Sequence, residues 1–365
     1  MKIVFLGDSI STQKTGIHYY GLELIKSVLS RYPEHDYRVI TTKKIDALSI
    51  PQTIVPIVKL LPLHLRMRQL WKIPKIVNQL KPDLVIEMAH FGPFNLSEKI
   101  KRVTVIHDLT PIKFPHLHPW QSSLAHKFFL RSIIKKADYL IVNSECTRSD
   151  IVKLYAKSIY DIHIFHPPLP SFPVNHAEKK EVDTLTGPYF LTVGTLEPRK
   201  NHPTILKAFE KFCEKNRNFK LLIVGGRGWR NRDFEKLLEK SPVKDMVVLS
   251  GYVSRAELAR HYKGATAFIF ASIYEGFGIP ILEAQSFGTP LILSENKSFP
   301  PMAMGAALRF DTFDADQLSD HMLHVAEDPE LRTRLQKQSR ASFQQASTLD
   351  SNLDQIFRPD AMQKD

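Results

Sequence analysis

The chain has 365 residues, of which 43% are hydrophobic and 24% are charged, a globular composition with enough length for about two domains. No stretch approaches the roughly 20 uninterrupted apolar residues of a membrane-spanning helix, and the N-terminal apolar run is too short for a signal peptide. The cysteines, Cys146 and Cys213, lie in different halves of the chain. We therefore expect a reduced, cytoplasmic protein.

The net charge of +12 is concentrated in the first half of the chain. Residues 1–180 hold 26 basic and 14 acidic side chains, whereas residues 181–365 hold 24 of each. This asymmetry indicates an anionic partner for the first half, either an acidic substrate, a nucleic acid or an anionic membrane, with an ordinary basic surface as the alternative. Because no helix-turn-helix, zinc knuckle or aromatic-interleaved basic patch is present, we do not expect nucleic-acid binding.

The first half alternates short apolar strands with amphipathic helices. The predicted strands are KIVFLG, YRVITT, PDLVIEM, RVTVIHD and DYLIVNS, and the predicted helices lie near residues 17–31, 63–80, 119–136 and 146–156. Strands that are apolar throughout and separated by helices predict a mostly parallel sheet covered on both faces.

A proline-rich stretch precedes a second alternation of the same kind. Residues 167–188 contain five prolines and no periodicity, as expected of a linker. The strands predicted after it are YFLTVGT, KLLIVGG, MVVLSGY, AFIFAS and PLILS, with helices near residues 202–215, 231–240, 254–262, 280–287, 314–327 and 329–345. Two doubly wound α/β domains are therefore predicted, with ligands bound outside the carboxyl ends of their strands.

The stretch SIYEGFGIPILEAQSFGTPLILS, residues 272–294, places two acids around the start of a helix. Glu275 follows a predicted strand, Gly278 allows close approach of a ligand, and Pro280 can begin a helix. Glu283 is predicted in the first turn, where its carboxylate could accept hydrogen bonds from a diol such as a ribose. The alternative is that Glu283 only complements the helix dipole and that Glu275 is a solvated loop acid.

The stretch VGTLEPRKN supplies Glu197, Arg199, Lys200 and Asn201 just before another predicted helix. An arginine and a lysine placed there could neutralise a diphosphate leaving group. The alternative is a salt-bridged surface loop.

Other candidate residues are less specific. His107 and Asp108 follow a predicted strand and Gly16 opens a helix, but structural or capping roles are equally consistent with these positions. Asp314 and Asp316 resemble a metal-binding pair, yet they precede a helix and are interpreted as caps. Cysteine and histidine spacing indicates no zinc site.

Several motifs in a fixed order resemble one enzyme family. GTLEPRKN, GYVSRAELARHYKGA, YEGFGIPILEA and the spacing of Glu275 and Glu283 resemble the retaining glycosyltransferases of family four, which have the two-domain GT-B fold. The resemblance covers nearly the whole chain and is strongest over residues 189–311. One departure is SFPPMAMGAA, where many relatives carry Pro-Glu instead of Pro300 and Pro301.

The resemblance implies specific roles for individual residues. The implied catalytic set is Arg199, Lys200, Glu275 and His107, and the implied donor-binding set is Gly16, Glu197, Phe277, Gly278, Ile279 and Glu283. Arg199 and Lys200 would hold the donor diphosphate, and Glu283 the nucleotide ribose. Glu275 would contact the donor sugar, with His107 near that sugar.

The resemblance also implies the domain plan and the reaction. Residues 1–170 would bind the acceptor and residues 189–345 the sugar nucleotide, facing each other across a cleft, with residues 171–188 as linker and residues 346–365 returning to the first domain. Transfer would need no metal and no enzyme nucleophile. We expect GDP-mannose as donor, with dTDP- or UDP-linked rhamnose or glucose as alternatives, and a saccharide or polyprenyl-linked saccharide acceptor in O-antigen assembly. A sugar-nucleotide 2-epimerase is the alternative activity.

Residues 58–81, VKLLPLHLRMRQLWKIPKIVNQLK, predict contact with an anionic surface on the inner face of the cell membrane. The segment contains six Lys or Arg residues, no acid, and a tryptophan. Basic amphipathic segments with tryptophan lie in the headgroup region of a bilayer. The alternative is a core helix that covers the sheet.

Overall fold

The computed structural model describes residues 1–12, 16–57, 67–89, 95–167, 169, 172, 187–346, 351 and 353–358. The chain forms two compact units. The first contains Met1–Lys113, Trp120–Pro168 and Asp350–Asp365, and the second contains Phe114–Pro119 and Leu169–Leu349. The expected linker, residues 171–188, lies outside the described residues apart from Phe172, Gly187 and Pro188.

The first unit is built on a parallel sheet. Its strands are β1 (Lys2–Leu6), β2 (Asp36–Thr41), β3 (Gln52–Ile54), β4 (Leu84–Glu87), β5 (Lys101–Ile106), β6 (Tyr139–Val142) and β7 (Ile162–Ile164). The sheet order is β3-β2-β1-β4-β5-β6-β7, so the winding reverses between β1 and β4. The predicted strands are confirmed, whereas β3 and β7 have three residues each and carry too little pattern to be predicted.

Helices cover both faces of this sheet. They are α1 (Asp8–Thr12), α2 (Gly16–Arg31), α3 (Ile73–Leu80), α4 (Thr110–Lys113), α5 (Trp120–Lys136) and α6 (Glu145–Tyr155). Helix α2 packs with Ile3 and Phe5 on one face. Helix α3 packs with Val4 and Val85 on the other, because successive strand residues point to opposite faces.

One cation of the segment expected to face a membrane points inward instead. Residues 58–66 lie outside the described residues, and Arg68 begins a π-helical turn, Arg68–Lys72, that leads into α3. The Arg68 guanidinium is buried, pairs with both carboxylate oxygens of Asp8, and donates through Nε to the Val55 carbonyl at 2.9 Å. A buried charge requires such partners, so the expectation that Arg68 faces a membrane is wrong.

The second unit repeats the architecture. Its strands are β8 (Tyr189–Val193), β9 (Lys220–Val224), β10 (Val247–Gly251), β11 (Ala267–Phe270), β12 (Leu291–Ser294) and β13 (Ala307–Phe310), in the parallel order β10-β9-β8-β11-β12-β13. Its helices are α7 (His202–Lys215), α8 (Asn231–Glu239), α9 (Arg255–Gly264), α10 (Ile279–Ser286), α11 (Pro301–Gly305), α12 (Ala315–Glu327) and α13 (Pro329–Ala346). Asp314 caps α12 by accepting from the amides of Asp316 and Gln317, which confirms its capping role.

The second unit also includes Phe114–Pro119, which fall within residues 1–170, the range predicted for the first domain. Trp229 Nε1 donates to the Leu117 carbonyl at 2.7 Å, and the His118 ring stacks on Trp229 with centroids 5.1 Å apart. Phe114 contacts Tyr274 with ring centroids 5.7 Å apart. Contacts between side chains so distant in sequence are set by tertiary packing, so the single predicted boundary is wrong at this segment.

The C-terminal helix α14 (Asp354–Phe357) packs on α2 of the first unit. The Phe357 ring stacks on Tyr32 with centroids 4.9 Å apart. The Tyr32 hydroxyl donates to Asp354 at 2.7 Å. His35 Nε2 donates to the Phe357 carbonyl at 2.8 Å. Among the described residues, no helix combines the length and apolarity that crossing a bilayer requires.

Phe357→Ala should lower the free energy of unfolding of the first unit by about 3 to 5 kcal/mol, because it removes a fully buried aromatic ring and leaves a cavity. Urea denaturation followed by circular dichroism measures the change. The matched control is Phe313→Ala, since Phe313 is exposed in the second unit and its loss should cost less than about 0.5 kcal/mol. Equal denaturation midpoints for the two variants would contradict the anchoring role of α14.

Candidate functional site

The candidate site of the second unit lies where its strand order reverses. Strands β8 and β11 are neighbours, while the chain winds outward in opposite directions from each of them. The loop after β8 contains a short 3₁₀ turn, Pro198–Lys200, before α7. The loop after β11 carries Glu275 before α10. Because both strands end at the same edge of the sheet, the two predicted loops meet there.

One carboxylate joins the two loops. Glu275 Oε2 accepts from Arg199 Nη1 and Oε1 accepts from Lys200 Nζ, each at 2.6 Å. Glu197 lies beside them, with Oε1 2.5 Å from Arg199 Nε. The Lys200 ammonium also lies 4.8 Å from the centroid of the Phe270 ring. Since Glu197, Lys200 and Glu275 are buried, the alternative of a solvated loop acid at Glu275 is wrong. The VGTLEPRKN loop is salt-bridged, as its alternative states, but these side chains do not lie at the surface.

Backbone contacts hold this cluster in place. The Ile273 amide donates to the Arg199 carbonyl at 2.8 Å, which ties one loop to the other. The Glu275 amide donates to Ser298 Oγ at 2.9 Å, and the Ser298 hydroxyl in turn donates to Asn296 Oδ1 at 2.7 Å. The charged groups are thus positioned by fixed loops, which is the arrangement that electrostatic stabilisation requires.

The cluster is electrically balanced. Burial by itself raises the pKa of Glu275, but the charges of Arg199 and Lys200 outweigh burial and hold that pKa below its ordinary value. With Glu197, the four side chains form two cations and two anions. Such a cluster can share its cations with an incoming anionic ligand while the carboxylates accept hydrogen bonds from the ligand's hydroxyls.

Glu283 occupies a second, separate network. Its Oε1 accepts from Arg255 Nη1 at 2.6 Å, and its Oε2 accepts from the Tyr262 hydroxyl at 2.9 Å. The Arg255 guanidinium lies 4.1 Å from the centroid of the Phe172 ring. Burial raises the pKa of Glu283, although Arg255 and Tyr262 oppose the shift. These contacts orient both carboxylate oxygens.

Glu283 lies in the predicted helix but outside its first turn. Helix α10 begins at Ile279, so Glu283 is its fifth residue and lies just past the first turn in which it is predicted. Gly278 precedes the helix with φ of 96°, a left-handed conformation that favours glycine. Phe277 is buried against Leu282, so its side chain is structural and only its backbone is available to a ligand.

The predicted residues of the first unit lie near its own point of strand reversal. His107 follows β5, is buried, and donates through Nε2 to the Met88 carbonyl at 2.8 Å. Burial lowers the pKa of His107, with Met88 and Asp108 opposing it, so the imidazole is neutral at pH 7. Gly16 is exposed at the start of α2. Their roles at a donor sugar and a diphosphate stay predictions.

Sequence reasoning missed Arg255 and Tyr262 as partners of Glu283, and Ser298 as the support for Glu275. Their elements were predicted correctly as helices and loops. The contacts of each side chain depend on the order of the strands in the sheet. No local sequence pattern predicts that order. The described residues contain no cluster of three or more metal-ligating side chains.

Family models match both units. The "Glycosyltransferase Family 4" model matches residues 16–170, and the "Glycosyl transferases group 1" model matches residues 175–342. The structure is similar to that of WaaG, a glycosyltransferase involved in lipopolysaccharide biosynthesis, with a TM-score of 0.70 and 17% identity over 99% of this chain and 98% of that one. Two parallel α/β units of this kind define the GT-B fold. The chain belongs to glycosyltransferase family 4.

Two curated relatives are named for mannosyl transfer. The chain is 27% identical to the O-antigen chain mannosyltransferase B of Escherichia coli over 356 residues, which cover 91% of this chain and 92% of that protein. It is 26% identical to the O-antigen chain mannosyltransferase RfbU of Salmonella typhimurium over 229 residues, which cover 63% of this chain and 62% of that protein. The chain therefore spans the first relative almost fully and less than two thirds of the second.

A histidine next to the cluster should make stability depend on pH. Burial, and then the charge of Lys200, lower the pKa of His202 to about 3. Between about pH 3 and 6.5 the unfolded chain binds a proton that the folded chain does not, so the free energy of unfolding should rise with pH by up to about 1.4 kcal/mol per unit.

Urea denaturation at several pH values measures this slope. His202→Gln, which carries no titratable group, should show a flatter profile than the parent over the same range. Parallel profiles for the two proteins would show that His202 does not titrate as the structure implies.

Proposed function

We propose that this protein is a retaining mannosyltransferase that transfers mannose from GDP-mannose to a saccharide or polyprenyl-linked saccharide in O-antigen assembly. The observation that carries the proposal is the buried Glu275 carboxylate shared by Arg199 and Lys200, with Glu283 held separately eight residues further on. The names of the two mannosyltransferase relatives support the choice of sugar and pathway.

In this proposal Arg199 and Lys200 bind the donor diphosphate. As the glycosidic bond breaks, negative charge grows on the departing phosphate oxygen, and two fixed cations stabilise that charge without reorganisation. Because these cations supply the positive charge, we propose that transfer requires no divalent metal. Asn201, which follows them, fixes the end of the loop by donating to the Thr312 carbonyl at 2.7 Å.

The two acids are proposed to bind opposite ends of the donor. Glu275 would accept hydrogen bonds from hydroxyls of the sugar, beside the cations that hold the diphosphate. Glu283 would accept from the ribose diol, since a carboxylate offers only acceptor sites. The Arg255 and Tyr262 contacts support this role because they fix the orientation of the Glu283 carboxylate before the ligand arrives.

Retention is proposed to occur by attack of the acceptor on the same face from which the diphosphate leaves. Both oxygens of Glu275 are engaged with cations, which lowers its nucleophilicity, so a double displacement through this residue is disfavoured. The departing phosphate oxygen would then accept the proton of the acceptor hydroxyl. Positioning and electrostatics, rather than covalent catalysis, would lower the barrier.

We also propose that the exposed side chains of residues 67–81 contact an anionic membrane, as the sequence of residues 58–81 predicts. Trp71, Lys72 and Lys75 are exposed, whereas Ile73 and Val77 pack into the core. A tryptophan beside two lysines suits the headgroup region of an anionic bilayer, where polyprenyl-linked acceptors lie.

The proposed reaction is tested with GDP-mannose and a mannose glycoside as acceptor. NMR of the purified product should show an α-linked mannose, the configuration of the donor, and transfer should persist in EDTA. A β-linked product would overturn retention. Transfer from dTDP-rhamnose or UDP-glucose but not from GDP-mannose would reassign the donor, and an epimerised sugar nucleotide formed without acceptor would favour the epimerase.

Lys200→Ala and Arg199→Ala should each reduce kcat/KM by about 10²-fold or more, the scale seen when one preorganised charge-stabilising group is removed. Steady-state kinetics measure the loss, and thermal melting checks folding. Lys211→Ala is the matched control, since Lys211 pairs with Asp316 at the surface and its loss should leave kcat/KM within a few-fold. Activity near the parent value in both site variants would show that Arg199 and Lys200 do not stabilise the donor diphosphate.

Glu283→Gln should weaken binding of free GDP about tenfold or more, because the ribose loses its charged acceptor. Glu275→Gln should leave GDP binding at least as tight as in the parent, since the two cations no longer share a carboxylate, while binding of GDP-mannose weakens. Calorimetry with both ligands measures the difference. Tyr262→Phe serves as a milder control that removes only one hydrogen bond to Glu283. Equal losses of affinity for GDP and GDP-mannose in both Glu variants would show that the two acids do not bind different ends of the donor.

A further inference from the structure

Phe172 lies in the stretch that the sequence predicts as a linker, yet it belongs to the second unit. Its half-buried ring meets the Phe287 ring edge-on with centroids 4.8 Å apart, and it packs against the core cluster that contains Tyr262 and Ile281. Pro173 follows it in the sequence and restricts the Phe172 backbone to extended conformations. The predicted linker therefore contributes one packed side chain to the second unit.

A second residue just before the predicted linker packs near the same helix. Leu169 packs against the small apolar cluster that contains Leu282 of α10, the residue before Glu283. Phe172 contacts Phe287, which directly follows α10. Two side chains three residues apart thus hold this part of the chain against α10. The position of Phe172 is therefore fixed by its neighbour in the chain as well as by its own ring.

The Phe172 ring contacts both of the side chains that donate to Glu283. The Arg255 guanidinium carbon lies 4.1 Å from the centroid of the ring, and the Tyr262 ring meets it edge-on with centroids 6.3 Å apart. Arg255 Nη1 donates to Glu283 Oε1, and the Tyr262 hydroxyl donates to Oε2. Phe172 thus contacts the donor to each carboxylate oxygen.

Of these two donors, Arg255 depends more on the ring. Tyr262 is fully buried, its ring packs on Phe268 with centroids 5.5 Å apart, and its carbonyl accepts from the Thr289 hydroxyl at 2.8 Å. The Arg255 side chain is 29% exposed, and holding a long side chain in one geometry costs conformational entropy. An aromatic face attracts a guanidinium and limits its positions. The ring therefore supports the end of Arg255 that pairs with Glu283.

We propose that Phe172 is a positioning residue for the nucleotide, which holds Arg255 against Glu283 and so keeps the carboxylate oriented for the ribose diol. The proposal deepens the proposed function and rests on its assignment of Glu283 to the ribose. An acceptor that is already oriented loses less freedom when the ligand binds, so orientation appears as affinity. Since the ribose is bound alike before and during transfer, the effect belongs in KM and not in kcat.

Calorimetry with GDP and steady-state kinetics with GDP-mannose test the proposal. Phe172→Leu keeps an apolar side chain but removes the aromatic face, and should weaken GDP binding and raise KM about three- to tenfold, the scale of one partly desolvated cation–π contact. Its kcat should stay within about twofold of the parent value. Phe172→Tyr keeps the face and should bind GDP like the parent. Parent-like GDP affinity in Phe172→Leu, or an equal loss in Phe172→Tyr, would overturn the proposal.

A double-mutant cycle shows whether Phe172 acts through Arg255. Arg255→Gln should itself weaken GDP binding, and adding Phe172→Leu to it should change the affinity by less than about twofold, because the guanidinium that the ring supports is already gone. Additive losses in the double variant would mean that Phe172 affects the nucleotide by another route and would contradict the proposal.

Phe219→Leu is the matched control for lost packing. Phe219 is buried, stacks on Phe190 with centroids 5.1 Å apart, and belongs to the core cluster on the other face of the sheet. It precedes β9 and so lies at the amino edge of the sheet, away from the loops that carry the site. The variant should melt at a lower temperature than the parent but bind GDP equally well. A loss of GDP affinity equal to that of Phe172→Leu would assign the effect to general destabilisation.

Melting temperatures measured without ligand separate this proposal from the proposed function. The cycle of Phe172→Leu and Arg255→Gln should be non-additive in melting temperature, since the two side chains are in contact. Failure of the parent to bind GDP or any sugar nucleotide would overturn the proposed function, whereas the melting cycle would still show whether Phe172 holds Arg255. Normal GDP binding by the parent together with additive melting shifts would overturn only the role of Phe172.

Discussion

Glu275 shares one carboxylate between two cations at a place almost closed to water. Removing three charges from water is costly, and their mutual attraction compensates only when the geometry is fixed and hydrogen bonds satisfy the remaining groups. The Ile273 amide and the Asn296–Ser298 pair supply that geometry. The loops after β8 and β11 must therefore keep their positions, and the sheet order that makes these strands neighbours becomes a requirement of the site.

Burial has a different effect on the pKa of the second acid, Glu283. Glu275 has its pKa lowered because two cations outweigh desolvation, whereas burial dominates at Glu283 and raises its pKa. Two carboxylates eight residues apart therefore lie in different electrostatic environments, one that lowers the pKa and one that raises it. One belongs to a balanced ionic cluster, and the other is an oriented acceptor supported by Arg255 and a tyrosine hydroxyl. A ligand with a charged middle and hydroxyls at both ends suits this pair.

The first unit divides its basic residues between its interior and its surface. Arg68 is buried because Asp8 at the start of α1 offers both carboxylate oxygens, so a basic stretch of sequence need not be a basic surface. Helix α5 has no acid of its own, and its outer cations lie beside exposed rings. The excess positive charge of the N-terminal half is thus partly structural and partly available to an anionic partner.

Local sequence patterns were sufficient to predict most of the strands and helices of this protein and several of its site residues. Apolar runs and 3.6-residue periodicity located the main strands and helices, including His202–Lys215 with both ends correct, because those signals depend only on neighbours in sequence. The motifs also singled out Arg199, Lys200, Glu275 and Glu283. What tertiary structure alone decided is which side chains meet: Glu275 with both cations, Glu283 with Tyr262, Arg68 with Asp8, and residues 114–119 with the second unit. These contacts join elements far apart in the chain, and their energies depend on strand order and burial, which no short window of sequence contains.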